Sequence, residues 1–258
     1  MTRYKLTIEY DGSQYKGWQI LHNEPTIQGK LIEICSKICK TNTIEVYGAG
    51  RTDAGVHALG QVAHVDADTN IPPNEFHNQL QAFLPSNISV RAVEIAYNRF
   101  HARHHATYRS YLYCITKERT ALFKRYVWWI KNSLNVEQMN IAAQEFKGFH
   151  NFKSFGKSSK NEESTMVEIS HIHIYEEQNC IWIHIVGSHF LWSMVRRMVG
   201  TLAEVGKGTL QPNDIKTFLQ ESSDFPARHT APPSGLFLEQ VYYSKHIDIQ
   251  KPQFPFII

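Results

Sequence analysis

The segment Gly48-Ala49-Gly50-Arg51-Thr52-Asp53-Ala54-Gly55-Val56-His57-Ala58 is the most informative part of this chain. It carries three glycines, one arginine and one aspartate between the strand-like segments 44–47 and 61–65. Glycines at this density allow positive φ angles and let another molecule approach the backbone closely. The pattern therefore predicts a tight loop between two strands, with Asp53 held on it.

Asp53 on such a loop is a candidate reactive carboxylate. Arg51, two residues upstream, can keep the carboxylate ionised or anchor a phosphate beside it. The alternative is a structural turn in which the aspartate hydrogen-bonds to its own backbone, since Asp and Gly are ordinary turn residues.

The spacing of the glycines argues against two nucleotide-binding loops. A dinucleotide fingerprint with Gly48 and Gly50 as its first two glycines would need a third glycine at position 53, which is an aspartate. A phosphate-cradling loop would end in Gly-Lys-Ser or Gly-Lys-Thr, and segment 48–58 contains no lysine. The sequence therefore disfavours NAD and ATP as ligands.

The composition is that of a globular protein with a basic tendency. The chain has 258 residues, 42% of them hydrophobic, and a formal net charge of +3. This length can bury a sizeable core and favours two domains. Basic residues cluster between 99 and 125, interleaved with Tyr108, Tyr111 and Tyr113, a pattern that suits a polyanion with bases to stack or, alternatively, a solvated face.

The cysteines and the N-terminal segment predict a cytoplasmic protein. Cys35, Cys39, Cys114 and Cys180 form no Cys-x-x-Cys pair, which favours reduced thiols over a zinc site or a disulfide framework. The first residues read directly as an alternating strand, so we expect no signal peptide. No apolar run approaches the roughly 20 residues that span a bilayer, so we expect no membrane association.

Hydrophobic periodicity predicts the same order of elements twice. In the first half it is strand, helix, strand, strand, helix, strand, with Thr26 capping the first helix and Pro73 beginning the second, whose Phe83 should face inward. In the second half a strand through Tyr111 precedes a helix capped by Asn135. A hairpin across 176–179, a helix over 190–205, a shorter helix and a last strand from about 236 follow.

Two successive split β-α-β units predict an α+β fold of two tandem ferredoxin-like halves. We expect their sheets to join as one antiparallel sheet and to leave a central cleft. The boundary is placed in segment 99–107, which gives an N-terminal half of residues 1–105 carrying the Asp53 loop and a C-terminal half of residues 106–258.

With these elements in place, the chain resembles the tRNA pseudouridine synthase A family over nearly its whole length. Six groups of short segments carry the resemblance in the family's order: 7–12 with 17–19; 26–29; 48–58; 100–103 with 109–113; 190–191 with 194–196 and 200–202; and 231–238. Each match is short, and their specificity lies in their order.

The resemblance implies a specific activity. Members of the family convert uridine to pseudouridine at positions 38 to 40 in the anticodon stem-loop of tRNA. They use no cofactor and no metal, and they act as homodimers with a doubled ferredoxin-like fold. Carried onto this chain, the catalytic aspartate is Asp53, the base-stacking tyrosine is Tyr111, and the substrate-binding arginines are Arg51 and Arg196. Leu236 lines the pocket by the same resemblance, or else belongs to the core.

The chemistry is consistent with these assignments. Cleavage of the bond from N1 of uracil to C1′ of ribose puts positive character on the sugar, which an ionised carboxylate stabilises or attacks. The target base must leave its stack before C1′ is accessible, and a tyrosine can hold the extruded base. Two roles remain open for Asp53, a covalent sugar adduct and proton abstraction. Tyr111 could also be a core strand residue, because Tyr113 shares its face.

Helical spacing separates the two consecutive late arginines. It places Arg196 on a partly apolar face with Val199 and Ala203, and Arg197 on a face that reads as solvent. We therefore expect Arg196 to reach the site.

Two other classes of function remain. The basic and aromatic clusters alone would suit an RNA-binding module without catalysis. The fourteen histidines would suit a metal-dependent RNA hydrolase, although no two-His helical motif with Glu is present. A homodimer is expected on size as well, because one 258-residue body is small for gripping both the elbow and the anticodon arm of a tRNA.

Overall fold

The computed structural model describes residues 1–157 and 164–256. The chain divides into two compact units. The first comprises Met1–Thr107 and Phe237–Lys245, and the second comprises the described residues of Tyr108–Leu236 and His246–Ile258. The division at 105/106 stays a prediction about domains, and the structure adds that segment 237–245 belongs to the first unit.

The first unit has the predicted order of strands and helices. Its elements are β1 (Thr2–Tyr10), α1 (Ile27–Cys39), β2 (Glu45–Gly48), β3 (His57–Ala67), α2 (Pro73–Phe83) and β4 (Ile88–Ile95). β1 pairs antiparallel with both β3 and β4, and β2 pairs antiparallel with β3.

The second unit contributes the remaining elements. They are β5 (Tyr108–Thr116), β6 (Trp128–Trp129), α3 (Val136–Gln144), β7 (Gly148–Asn151), β8 (Met166–Glu177), β9 (Cys180–Gly187), α4 (Met194–Gly206), α5 (Pro212–Gln220), α6 (Phe225–Arg228) and the beginning of β10 (Leu236–Tyr242). β9 pairs antiparallel with β5 and β8, and β7 pairs antiparallel with β8. The α+β class with split β-α-β order is thereby confirmed.

β10 and β6 each run parallel to a neighbouring strand, where an antiparallel sheet was expected. β10 pairs with β3 through Phe237 and Leu238, and β6 pairs with β5 through Ile115 and Trp128. Parallel neighbours need a long connection rather than a tight turn. β10 meets this condition, because most of the chain separates it from β3.

Local signals position the helices well. The Thr26 side chain accepts a hydrogen bond from the Gly29 amide at the start of α1, and Asn135 does the same for Gln138 at the start of α3. These N-caps satisfy amides that have no partner within the helix. Among the described residues no helix has the length and apolar character needed to cross a membrane.

Two predictions were wrong, one about a side chain at the end of α2 and one about the start of α4. Phe83 is 45% exposed, because α2 ends there and the extended residue Leu84 is buried instead. α4 begins at Met194 rather than at 190, because Ser193 has φ +60°, a left-handed conformation outside the helical range.

Candidate active site

The Asp53 loop joins β2 to β3 and covers residues 49–56. Its first residues are fixed to β3. The Ala49 amide donates a hydrogen bond to the Val62 carbonyl at 2.7 Å, and Gln61 Nε2 donates to the Gly50 carbonyl at 2.9 Å. The start of the loop therefore continues the pairing of the two strands that it connects.

A second loop, from the end of β1 to the start of α1, supports the middle of the Asp53 loop. The Trp18 amide donates to the Thr52 carbonyl at 3.0 Å, and the Tyr10 hydroxyl hydrogen-bonds to Thr52 Oγ1 at 2.8 Å. Thr52 is buried, so both contacts are shielded from water. The residue directly before Asp53 is thus held through its backbone and its side chain.

The approach of the two loops requires glycine at position 17. Gly17 has φ +95°, and a Cβ there would lie 2.5 Å from the Thr52 carbonyl oxygen. A side chain would be strained in this conformation and would also push the loops apart. Gly17 therefore determines how closely the first loop supports Thr52.

The two predicted site residues of this loop differ in exposure. Asp53 is partly buried, whereas Arg51 is exposed. Thr52, which lies between them, is buried and forms the two hydrogen bonds described above. Asp53 therefore follows a residue that is held through its backbone and its side chain, and its catalytic role stays a prediction.

His57, the first residue of β3, is a supporting residue that the sequence argument did not identify. Its ring is buried and stacks on Phe237 at 4.9 Å between centroids. Its Nδ1 accepts a hydrogen bond from the Gly12 amide at 3.2 Å and lies 3.2 Å from Asp11 Oδ1. The only sequence signal is the position of His57 within the glycine-rich segment.

In the second unit, Tyr111 lies in the middle of β5, opposite Ile185 of β9. It is 8% exposed, and its ring meets Phe190 edge-on at 5.0 Å. Tyr113, on the same strand face, is fully buried and donates to the Pro232 carbonyl at 2.8 Å. Burial raises the pKa of Tyr113 well above its usual value. Tyr113 is therefore a core residue, and Tyr111 is the more accessible of the two.

Arg196 lies on the first turn of α4 and is partly buried. Its Nε donates to the Ala231 carbonyl at 2.8 Å, and the Ala231 amide donates to the Arg196 carbonyl at 3.0 Å. This double contact ties the arginine to the segment that leads into β10. Leu236, the first residue of β10, is 6% exposed, and its predicted role in the pocket stays a prediction.

The expectation that Arg197 faces solvent was wrong. Arg197 is 8% exposed and donates to the Ser154 carbonyl at 3.5 Å. Burial lowers its pKa, and the adjacent charge of Arg196 acts in the same direction. A separate part of the chain covers this face of α4, which helical spacing alone does not reveal.

The histidines do not assemble into a metal site in the described ranges 1–157 and 164–256. No group of three or more His, Cys, Asp or Glu residues there could hold a metal ion. Two strand histidines, His171 and His184, have ring centroids 5.2 Å apart.

Comparison with known proteins identifies the family. A family model described as tRNA pseudouridine synthase matches residues 6–104 and 142–244. A tRNA pseudouridine synthase A from Bacillus sp. (strain KSM-64) is 42% identical over 94% of this chain and 100% of the relative. A tRNA pseudouridine synthase A 2 from Clostridium perfringens (strain 13 / Type A) is 40% identical over the same shares.

Among solved structures, the crystal structure of a Cbf5-Nop10-Gar1 complex aligns with 91% of this chain and 57% of that chain, at a TM-score of 0.37 and 9% identity. This likeness is too weak to carry a conclusion. The sequence matches extend over both units and include the whole Asp53 loop. The chain belongs to the tRNA pseudouridine synthase family.

Proposed function

We propose that this enzyme isomerises uridine to pseudouridine at positions 38, 39 and 40 in the anticodon stem-loop of tRNA. The observation that carries the proposal is the match to proteins named tRNA pseudouridine synthase A along 94% of the chain and 100% of the relative. The Asp53 loop supports it, because a partly buried carboxylate beside the hydrogen-bonded Thr52 suits chemistry at a ribose carbon.

The reaction is an internal rearrangement and needs no oxidant or reductant. The bond between N1 of uracil and C1′ of ribose breaks, the base turns over, and a bond forms between C5 and C1′. The proton on C5 is lost and N1 gains one, so atoms and electrons balance. The barrier lies in the positive character at C1′, which a nearby anion lowers.

We propose Asp53 as the catalytic residue. Its carboxylate either attacks C1′ or stabilises the positive sugar and takes a proton. Both roles require that the carboxylate stay in one position while the base turns. The hydrogen bonds at Thr52, the neighbouring residue, supply that rigidity.

The remaining predicted residues bind the substrate. Tyr111 is proposed to stack on the extruded uracil, Arg51 and Arg196 to contact phosphate or the carboxylate, and Leu236 to line the pocket. Arg196 suits this role because its Nε bond to the Ala231 carbonyl fixes the guanidinium. A planar, oriented guanidinium recognises phosphate and carboxylate oxygens through paired hydrogen bonds.

The decisive test is Asp53→Asn, which removes the charge and keeps the shape. With transcribed tRNA labelled with tritium at C5 of uridine, we expect tritium release to fall at least about a thousandfold, because loss of a central charge costs several kcal/mol of transition-state stabilisation. The affinity for tRNA should stay close to that of the unsubstituted protein.

The matched control is Asp68→Asn, which changes an exposed aspartate of the same unit. It should leave tritium release unchanged. Turnover of Asp53→Asn within about tenfold of the parent would contradict the catalytic role. Salt-dependent tRNA binding by the parent without any tritium release would instead identify an RNA-binding module. Transcripts with a single uridine at position 38, 39 or 40 test the positions separately.

We further propose that the enzyme works in the cytoplasm as a homodimer. Support for the dimer is the modest size of one chain relative to a tRNA. Light scattering that gives the mass of a single chain at working concentration would contradict it. Cell fractionation tests the location.

A further inference from the structure

Trp192 is a large aromatic side chain left exposed in the segment between β9 and α4. Its exposed fraction is 59%, whereas its neighbour Leu191 is 8% exposed. Exposed apolar area of this size is uncommon for tryptophan, which is mostly buried. The exposed indole therefore follows directly on a residue that is packed into the core.

The backbone holds this indole in place. Lys157 and Trp192 form an isolated antiparallel bridge, in which the Lys157 amide donates to the Trp192 carbonyl at 3.5 Å. Two residues before Lys157, Phe155 is fully buried and packs edge-on against Phe146 at 5.0 Å. Both sides of the bridge are therefore anchored in the core of the second unit.

A positive charge accompanies the ring. Lys157 is exposed, and its Nζ lies 5.5 Å from the centroid of the indole, within the range of a cation–π contact. Trp192 also comes just before α4, which begins at Met194 and carries Arg196 on its first turn. An aromatic face and one cation thus lie close together, and a second cation, Arg196, follows four residues later in the sequence.

We propose that Trp192 and Lys157 form a binding site for an unpaired nucleotide of an RNA, with the base stacked on the indole and the adjacent phosphate at Lys157 Nζ. This inference deepens the proposed function and rests on it. A stacked base and a phosphate are the two chemical groups that such a pair recognises. A docking surface for another protein presents a contiguous apolar patch, whereas this pair offers one indole and one ammonium group, which match one base and one phosphate.

The site would hold a nucleotide near the one being modified. The anticodon loop supplies unpaired bases beside positions 38 to 40, and stacking tolerates any base because each has a π-face. Trp192 would then contribute to affinity for the stem-loop without contacting the reacting atoms.

The test uses the full chain and a fluorescently labelled RNA anticodon stem-loop. We expect Trp192→Ala to raise the Kd, measured by anisotropy, and the KM for tritium release in proportion, both about tenfold. Trp192→Phe should recover most of the affinity, because a smaller ring still stacks. Lys157→Ala should raise the Kd severalfold and reduce the salt slope by about one.

The matched control is Trp129→Ala. Trp129 is also an exposed tryptophan with a cation over its ring, Arg119 at 5.8 Å, but it lies on β6. Its replacement should leave the Kd unchanged. An unchanged Kd for Trp192→Ala, or an equal loss for Trp129→Ala, would overturn the proposal.

Fluorescence of Trp192 separates failure of this binding site from failure of the proposed function. Quenching of Trp192 fluorescence by the RNA, present in the parent and absent from Trp192→Phe, supports the site even if no pseudouridine forms. Pseudouridine formation by a parent whose Trp192 is not quenched contradicts the site and leaves the proposed function intact.

Discussion

The two units support their predicted site residues in different ways. In the first unit Asp53 lies on an irregular loop, held by the contacts of Thr52 with Tyr10 and Trp18. In the second unit Tyr111 and Arg196 project from a strand and a helix. The loop depends on a few specific hydrogen bonds, whereas the strand and helix depend on the packing of a core. Substitutions that disturb the hydrogen bonds of the loop should therefore act mainly on kcat. Substitutions that disturb the core should act mainly on the free energy of unfolding.

Gly200→Ala should have the largest effect, because it disturbs packing in the second unit. Gly200 lies on α4, and a Cβ there would be 1.6 Å from the His229 carbonyl oxygen. We expect the free energy of unfolding to fall by about 3 kcal/mol through overpacking, although alanine favours a helix by about 1 kcal/mol. Urea denaturation followed by circular dichroism measures the change.

Gly208→Ala is the control for this substitution. Gly208 has φ +79°, but a Cβ there would meet nothing within 4 Å. It should lose only the cost of the strained backbone, about 1 kcal/mol. Equal losses for the two variants would show that packing does not dominate at α4.

The pH dependence of stability should report on a buried histidine in the first unit. His64 of β3 is 2% exposed and accepts a hydrogen bond at Nδ1 from the Ala102 amide at 3.1 Å. Burial lowers its pKa to about 4, the charges of Arg3 and His101 act in the same direction, and Asp66 opposes them.

The sign of the effect follows from the lowered pKa. The ordinary value is 6.5, so between about pH 4 and 6.5 the unfolded chain binds more protons at this site than the folded chain. His64 therefore stabilises the fold above pH 6.5, and this contribution, on the order of 1–3 kcal/mol, is lost as the pH falls toward 4.

Urea denaturation at a series of pH values tests this prediction. His64→Gln should show a flatter loss of stability on acidification than the parent, whereas His22→Gln, which changes an exposed histidine, should follow the parent. If the free energy of unfolding of all three proteins falls equally with pH, His64 does not control the loss of stability in acid.

Tyr10→Phe should have the smallest effect on stability and a selective effect on activity. It removes the 2.8 Å hydrogen bond to Thr52 Oγ1 and should cost about 1 kcal/mol. If Asp53 is catalytic, loosening its neighbour should lower kcat about tenfold with little change in KM.

Tyr4→Phe is the matched control. Tyr4 lies on the same strand, and its hydroxyl donates to the Ile71 carbonyl at 2.7 Å, away from the Asp53 loop. It should lose similar stability and retain kcat. An equal fall of kcat in both variants would contradict the idea that the hydrogen bonds at Thr52 position the carboxylate.

Much of the fold could be predicted because its signals are local. The caps at Thr26 and Asn135 and the alternation of β1 are visible in neighbouring residues, and the structure confirms them. β7 was missed, because it is only four residues long and none of its side chains is fully buried. α4 was predicted to begin too early, because no residue type in segment 190–193 indicates that Ser193 adopts a left-handed conformation.

The loop of the candidate site could also be predicted, because its signals too are local. Asp53 and Arg51 lie in a segment whose glycines predict a loop, and in the structure that segment connects two paired strands. Tyr10 and Gly17 could not be recognised as its support, because each lies more than thirty residues from the contact that it makes. Arg197 was misassigned because a segment around Ser154 covers it.

The sequence by itself determined the order of most strands and helices, the loop that carries Asp53 and membership of the family. Only the tertiary structure decided that Thr52 is anchored by Tyr10 of β1 and Trp18 of the β1–α1 loop. It also decided that β10 joins the first unit beside β3, and that Arg197 is buried while Trp192 is exposed. The physical reason is the range of the interactions. Propensity, capping and turn chemistry act between near neighbours, whereas burial and parallel pairing depend on segments that are distant along the chain.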